Sequence, residues 1–393
     1  MSDKALTYIS SQQLRKDLTY AKLNWANAED QYKQGAYLDS LCTTIGYIDE
    51  AIGQQFKTDA AKGVKILHGS VQLHIALNNG KFQVVAPFVN ISNALKIVVL
   101  RKICELNFFG LNLARIECRE DILAFKYECL LEACEPWKIY EVLREICWIA
   151  DKHDDNFVVL QKAAWITEPE VTPFSDQRKE QSWNGLRLYL QEAREWISYW
   201  QGRGNQLMVW DVIYVTLMKI EQLCSPQGII KNVLESNIEK LFDKRDLNDV
   251  VQDGLAYLDS LEKITQPAFY TQLYDVATFV PVKVSAGALN VQNSLKTFLD
   301  NSYDYIKKSE MTTAYLCLQK GIFRLFYNYR LNELQWNHLQ SILSGLNNLS
   351  IADAANALYR DLNAFYNDPM DRIPAPVQAP VKEKTGLFAG WFS

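Results

Sequence analysis

The chain has 393 residues, 48% hydrophobic and 22% charged, a length that predicts two domains, three at most, each with an ordinary buried core. A formal net charge of −5, with Lys and Arg scattered singly, excludes the basic footprint of a phosphate-backbone binder, so nucleic acid is not an expected partner. The eight cysteines sit mostly among apolar neighbours and read as reduced core thiols, not as a disulfide framework.

Residues 1–17 lack the apolar centre of a secretory signal, and no run approaches about 18 consecutive apolar residues, which predicts a cytoplasmic chain without stable membrane insertion. From about Leu18 to Phe56 the spacing of Trp25, Tyr32, Leu38, Leu41, Ile45, Ile48 and Ile52 predicts helices. Within this stretch Ala28–Leu41 looks like the first half of a tetratricopeptide unit, whose glycine and large aromatic let two helices approach. No second copy follows at that period, so a single helical hairpin is expected to lead into the next domain. Val71, Leu73, Ile75 and Leu77 then alternate, Asn78-Asn79-Gly80 supplies a positive-φ turn, and Phe82, Val84 and Ala86 return on the same face. Ser92 is placed to cap a helix running to about Asn107, with Leu95, Val98, Val99, Ile103 and Leu106 as the stripe that covers the sheet. A second hairpin runs from Ala114, Ile116 and Cys118 through Arg119-Glu120-Asp121 into Leu123, Phe125, Tyr127, Cys129 and Leu131. Glu135-Pro136 opens a further helix whose inner side is Tyr140, Leu143, Cys147 and Ala150.

Three stretches of this region, Gly80-Lys-Phe-Gln-Val-Val-Ala-Pro-Phe-Val89, Cys104-Glu-Leu-Asn-Phe-Phe-Gly110 and Asp121-Ile-Leu-Ala-Phe-Lys-Tyr127, together with the order helix, strands, helix, strands, helix, carry a likeness. Residues 64–152 resemble the fold shared by type III secretion chaperones and the YbjN family. The resemblance implies a twisted antiparallel sheet backed by helices, acting as a binding scaffold that dimerises and wraps an extended partner segment. It brings no catalytic residues to carry over.

Residues 153–178 mix a charged step at His153-Asp154-Asp155 with Pro169 and Pro173 and read as a domain boundary. Beyond Gln181, helical spacing dominates: Leu186, Leu190, Trp196 and Trp200; Trp210, Ile213, Leu217 and Ile220; Ile230, Leu234, Ile238 and Leu241. Later helices are predicted around Val291–Tyr305, Tyr315–Phe326, Leu334–Leu343 and Ile351–Tyr366, while Phe279–Leu289 is either a short strand or an extended connector. After Asp368, four prolines and Lys382-Glu-Lys384 precede an apolar tip, which predicts an extended tether. The expected fold class is therefore α+β, an antiparallel sheet backed by helices, followed by an all-helical domain and a Pro-rich tail. The expected divisions are a helical segment at 1–60, the α+β domain at 61–155, a linker at 156–179, the helical domain at 180–367 and the tether at 368–393.

Chemistry-bearing motifs are sparse. His68, His74, His153 and His338 lack a second ligand at zinc spacing, and Gly202-Arg-Gly204 lacks the strand and lysine of a phosphate loop. The acid pairs Asp154/Asp155 and Asp300/Asp304 look like turns and solvated helix faces, and Trp183, Trp196, Trp200 and Trp210 have the spacing of core packing or of a ligand groove. Catalytic, cofactor and metal sites are therefore not expected. Leu387, Phe388, Trp391 and Phe392 form the candidate partner-binding site, since one helical turn would set all four on one face. Three alternatives stay open for them: docking back on the chain itself, a tail without a role, or weak membrane contact. The function these features predict is a non-enzymatic, protein-binding adaptor or chaperone-like factor, working as a monomer or homodimer and serving a bacterial secretion system or another multiprotein assembly. An enzyme with a pocket in the helical domain and a structural component of a large complex are the rivals.

Overall fold

The computed structural model describes Tyr8, residues 22–281 and residues 283–370. Helices α1 (Lys22–Lys33), α2 (Tyr37–Ile48) and α3 (Glu50–Asp59) come first. The α1–α2 hairpin is joined where Ser40 Oγ donates to the Ala28 carbonyl at 2.7 Å. Gly35 serves this hairpin as a turn residue at φ +78° with open space around it, so it is not the glycine that lets helices approach. That place is between α2 and α3, where a Cβ on Gly53 would lie 2.5 Å from the Gly46 Cα.

Strands β1 (Val64–His68), β2 (Val71–Asn78) and β3 (Lys81–Asn90) follow, then α4 (Lys96–Glu105), β4 (Arg115–Arg119), β5 (Ile122–Leu130), α5 (Pro136–Asp155) and β6 (Ala164–Trp165). They build an antiparallel sheet in the order β1-β2-β3-β5-β4, with β6 pairing the far end of β3. Both expected hairpins are present and β1 adds a third arm, too short for its alternation to stand out in the sequence. Val84 of central β3 faces Ile75 and Tyr127 on its two neighbours and is wholly buried. On the covered face Leu73, Ile75, Phe82, Ala86 and Phe125 meet Ile139, Leu143 and Ile146 of α5 together with Ile45 and Phe56. The other face carries polar cross-strand pairs, Lys81 with Glu128 and Lys126 with Glu117.

Ser92 does not cap α4. The helix begins three residues later, with Leu95 in the cap position and no side-chain acceptor, and it widens into a π turn at Leu106–Gly110. Glu135 does cap α5, accepting from the Lys138 amide at 3.2 Å, with Pro136 in the first turn.

Helices α6 (Asp176–Gln201), α7 (Gln206–Lys219), α8 (Gly228–Lys240), α9 (Leu247–Glu262) and α10 (Gln266–Tyr270) lead through strand β8 (Tyr274–Val276) and β9 (Val284–Ser285) to α11 (Ala288–Lys307), α12 (Met311–Asn328), α13 (Glu333–Ser344) and α14 (Ile351–Asn367). This half is not purely helical. Strand β7 (Val171–Pro173) pairs β8, and β9 pairs β10 (Tyr329–Arg330) in parallel. Nor does the stretch at 156–179 hang free, since β6 joins the main sheet and β7 is tied to β8.

Two apolar cores result, one around the sheet and one among α6–α14. The second half reaches into the first: Phe279 and Val280 are buried in the sheet core, the Phe279 amide donates to His68 Nδ1 at 3.0 Å, and the Gly69 amide donates to the Ala277 carbonyl at 2.8 Å. Among the described residues, no helix is long and apolar enough to cross a membrane.

Candidate protein-docking site

Helix α4 carries two apolar strips, with Arg101, Lys102 and Glu105 between them on one flank. Val99, Ile103 and Leu106 turn inward to the sheet core, while Ile97, Leu100, Cys104 and Phe108, at steps of three and four residues, line the outer side. Ile97 is 85% exposed, Phe108 79% and Phe109 80%, with the two phenyl rings edge to face at 4.7 Å. Leu95 and Val98, expected in the covered stripe, are 49% and 50% exposed, so the stripe facing the sheet is narrower than the spacing suggests. Val159 and Leu160 extend the apolar surface, because the Leu95 amide donates to the Gln161 carbonyl at 2.9 Å and brings the two segments together. One apolar strip suffices to seat a surface helix on a sheet, and the second strip of this one faces water.

Two polar devices hold the surface in place. The Glu145 carboxylate of α5 accepts from the backbone amides of Asn112 at 2.5 Å, Leu113 at 3.0 Å and Ala114 at 2.9 Å. Asn107, inside the π turn, accepts from the Ile116 amide and donates to the Ile116 carbonyl, each at 2.8 Å. The face is thus fixed at both its helix and its exit loop. Lys96 is engaged by Asp121 and Lys102 by Glu105, whereas Arg101 stands exposed in the middle of the apolar surface and in no ion pair among the described residues.

The other sequence candidates fall elsewhere. Leu387, Phe388, Trp391 and Phe392 lie outside the described residues. Trp196, Trp200 and Trp210 are buried and Trp183 packs against the same core. Asp300 is a solvated helix acid paired with Lys296, but Asp154 is not solvated. It is buried at the end of α5, accepting from Ser70 Oγ at 2.5 Å and from the Asp155 amide at 2.6 Å. Burial, with Asp155 and Asp151 nearby, holds its carboxyl well above the usual range, and burial beside Asp151 raises Asp155 to about 6. Lys231 donates to Asp151 at 2.8 Å across the junction of the two cores. Raised carboxyls in a cleft are the signature of a reactive site, yet both Asp154 oxygens are engaged within the chain. The cluster reads as a fastening between halves.

The four histidines stay apart. Burial lowers His68 and His153 to about 4, and His338 stacks on Phe365. Among the described residues, no group of three or more His, Cys, Asp or Glu is arranged to hold a metal. Comparison with family models, with curated proteins and with solved structures returned no match.

Proposed function

We propose that the chain is a non-enzymatic protein-binding adaptor or chaperone-like factor that works in the cytoplasm and docks a partner polypeptide on the α4 surface. The exposure of Ile97, Phe108 and Phe109 on a helix already apolar beneath carries this reading. Covering one such side chain contributes roughly 1.5–3 kcal/mol, so three of them at the centre of a contact suffice for a specific complex. Arg101 in the same surface calls for a carboxylate on the partner, and it disfavours self-pairing, because a two-fold axis near the middle of α4 would set two Arg101 side chains together. The resemblance of residues 64–152 to secretion chaperones supports the same class of work. The tail residues Leu387, Phe388, Trp391 and Phe392 would then supply a second contact to a larger assembly.

The test replaces Ile97 and Phe108 with Asp in the full chain and compares proteins that co-purify from native extract, each then rebound as a purified protein. The reading expects a partner lost from the double variant at unchanged melting temperature, with native mass by light scattering separating a second copy from a different protein. An identical partner set and mass for both chains overturns it.

A further inference from the structure

Cys129 and Cys134 face each other where β5 gives way to α5, with their Sγ atoms 3.5 Å apart. On a continuing strand, residues five apart would be separated by about 17 Å. Here a tight helical turn at Leu131–Ala133 doubles the chain back and sets the second sulfur against the first. The turn is fastened by backbone. The Leu131 amide donates to the Gly80 carbonyl at 2.9 Å and the Cys134 amide to the Leu131 carbonyl at 3.0 Å. From α1, the Tyr32 hydroxyl donates to the Glu132 carbonyl at 2.8 Å. The sulfurs are therefore neighbours because of the backbone path, not through a side-chain rotamer alone.

The two thiols differ in reach and in acidity. Cys134 is wholly buried, while Cys129 is only partly covered, so a small oxidant meets Cys129 first. Hydrogen bonding from Cys134 lowers the Cys129 thiol to about 6 against the opposing effect of burial, and Tyr127 and the Lys138 ammonium lower it further. The same contact and burial push the Cys134 thiol up. One partner is thus the nucleophile and the other its proton-bearing neighbour, the division of labour that a dithiol needs to react in two steps.

We propose that Cys129 and Cys134 form a reversible redox site, a dithiol that hydrogen peroxide converts to an intramolecular disulfide. The Cys129 thiolate attacks one peroxide oxygen; the S–O bond forms, the O–O bond breaks, and the leaving hydroxide takes up a proton as water. Cys134 Sγ then attacks the Cys129 sulfenic acid, the S–S bond forms and the S–O bond breaks, and the departing hydroxide leaves as a second water with the Cys134 proton. The two thiols are oxidised and one peroxide is reduced. Reaching a bond of about 2.05 Å asks the sulfurs to approach by about 1.5 Å. A small dithiol returns the pair to its reduced form by exchange. Cys129 is paired with Phe82 at the start of β3, whereas α4 follows the end of that strand, so Ile97→Asp with Phe108→Asp leaves the thiols intact and the two readings fail separately.

The experiment treats the full native chain with one equivalent of hydrogen peroxide, alkylates it with iodoacetamide over time and maps it by mass spectrometry after trypsin. Residues 127–138, bounded by Lys126 and Lys138, form a single tryptic peptide that carries both cysteines. That peptide should lose two hydrogens and both alkylation sites, and recover them with dithiothreitol. It should do so at least about tenfold faster than the exposed Cys104 and Cys118 are oxidised. In a Cys134→Ser chain the same peptide should take up dimedone at Cys129, because the sulfenic acid has lost the thiol that resolves it. Should that variant not fold, the native-chain peptide decides alone. Both thiols still open to alkylation once Cys104 and Cys118 are oxidised, or a Cys129 sulfenic acid that persists in the native chain without closing, overturns the proposal.

Discussion

Glu145 sits mid-helix in α5, where the spacing of Leu143 and Cys147 assigns the neighbouring positions to the core and says nothing of a buried acid. Its carboxylate takes three consecutive backbone amides, Asn112 to Ala114, that would otherwise have no acceptor at the end of the α4 exit loop. Of the three only the Ala114 amide is buried, and a buried amide left unpaired costs about 1–3 kcal/mol, so Glu145→Ala should destabilise the chain by about that much. Urea unfolding followed by circular dichroism checks this: the midpoint falls while the slope is unchanged, and an unmoved midpoint would show that the amides find water instead. No sequence pattern reports the interaction, because its partners are 31 to 33 residues apart and meet only once the sheet has formed. The same holds for Asp154, whose neighbours in sequence are charged but whose neighbours in space are Ser70 and the junction of the two cores.

The two hairpin turns differ in how well their residues suit them. Asn79 and Gly80 occupy the left-handed region at φ +50° and +73°, the pair that a two-residue turn favours. Glu120 and Asp121 adopt it as well, at φ +49° and +62°; Asp tolerates that region much as Asn does, but for Glu it is disfavoured by about 1 kcal/mol. Glu120→Asn should therefore stabilise the chain by about 0.5–1 kcal/mol, measured as a rise in melting temperature. A lower melting temperature would mean that Glu120 contributes a contact of its own. Val84→Asp acts in the opposite sense, since a charge between β2 and β5 in the covered core should prevent folding, and a stable variant would contradict the sheet. Hairpins and long helices were legible because period-two and three-to-four-residue spacings are local signals. Strands β1 and β6 were not, and neither was the outward side of α4, whereas helix α9 was missed although Val250, Val251, Gly254, Leu258 and Leu261 recur at helical spacing. Ile97, Leu100 and Cys104 lie beside the Val99 and Ile103 strip on the helix surface, and spacing alone does not separate a broad covered face from a covered strip with an exposed one next to it.

Across the whole molecule, the acids at the junction set a dependence on pH. Folding raises the Asp155 carboxyl to about 6, so between about pH 4 and 6 the folded chain binds more proton than the unfolded one, and this group's contribution to stability falls as pH rises through that window. Asp155→Asn should leave the melting temperature near pH 4 almost unchanged and raise it at pH 8, and an equal shift at both values would place the effect elsewhere. His68 acts in the opposite direction, with its imidazole lowered to about 4, so its contribution is lost as pH falls from about 6.5 toward 4.

The insertion of Phe279 and Val280 into the sheet core has a consequence for synthesis. A ribosome that has released every strand of the main sheet has still not released the two side chains that seal it, so the amino-terminal half emerges with an open interior for more than a hundred further residues. Stopping translation at a codon between 165 and 276 should leave a nascent chain that proteases digest readily, and one extended past residue 280 should resist them.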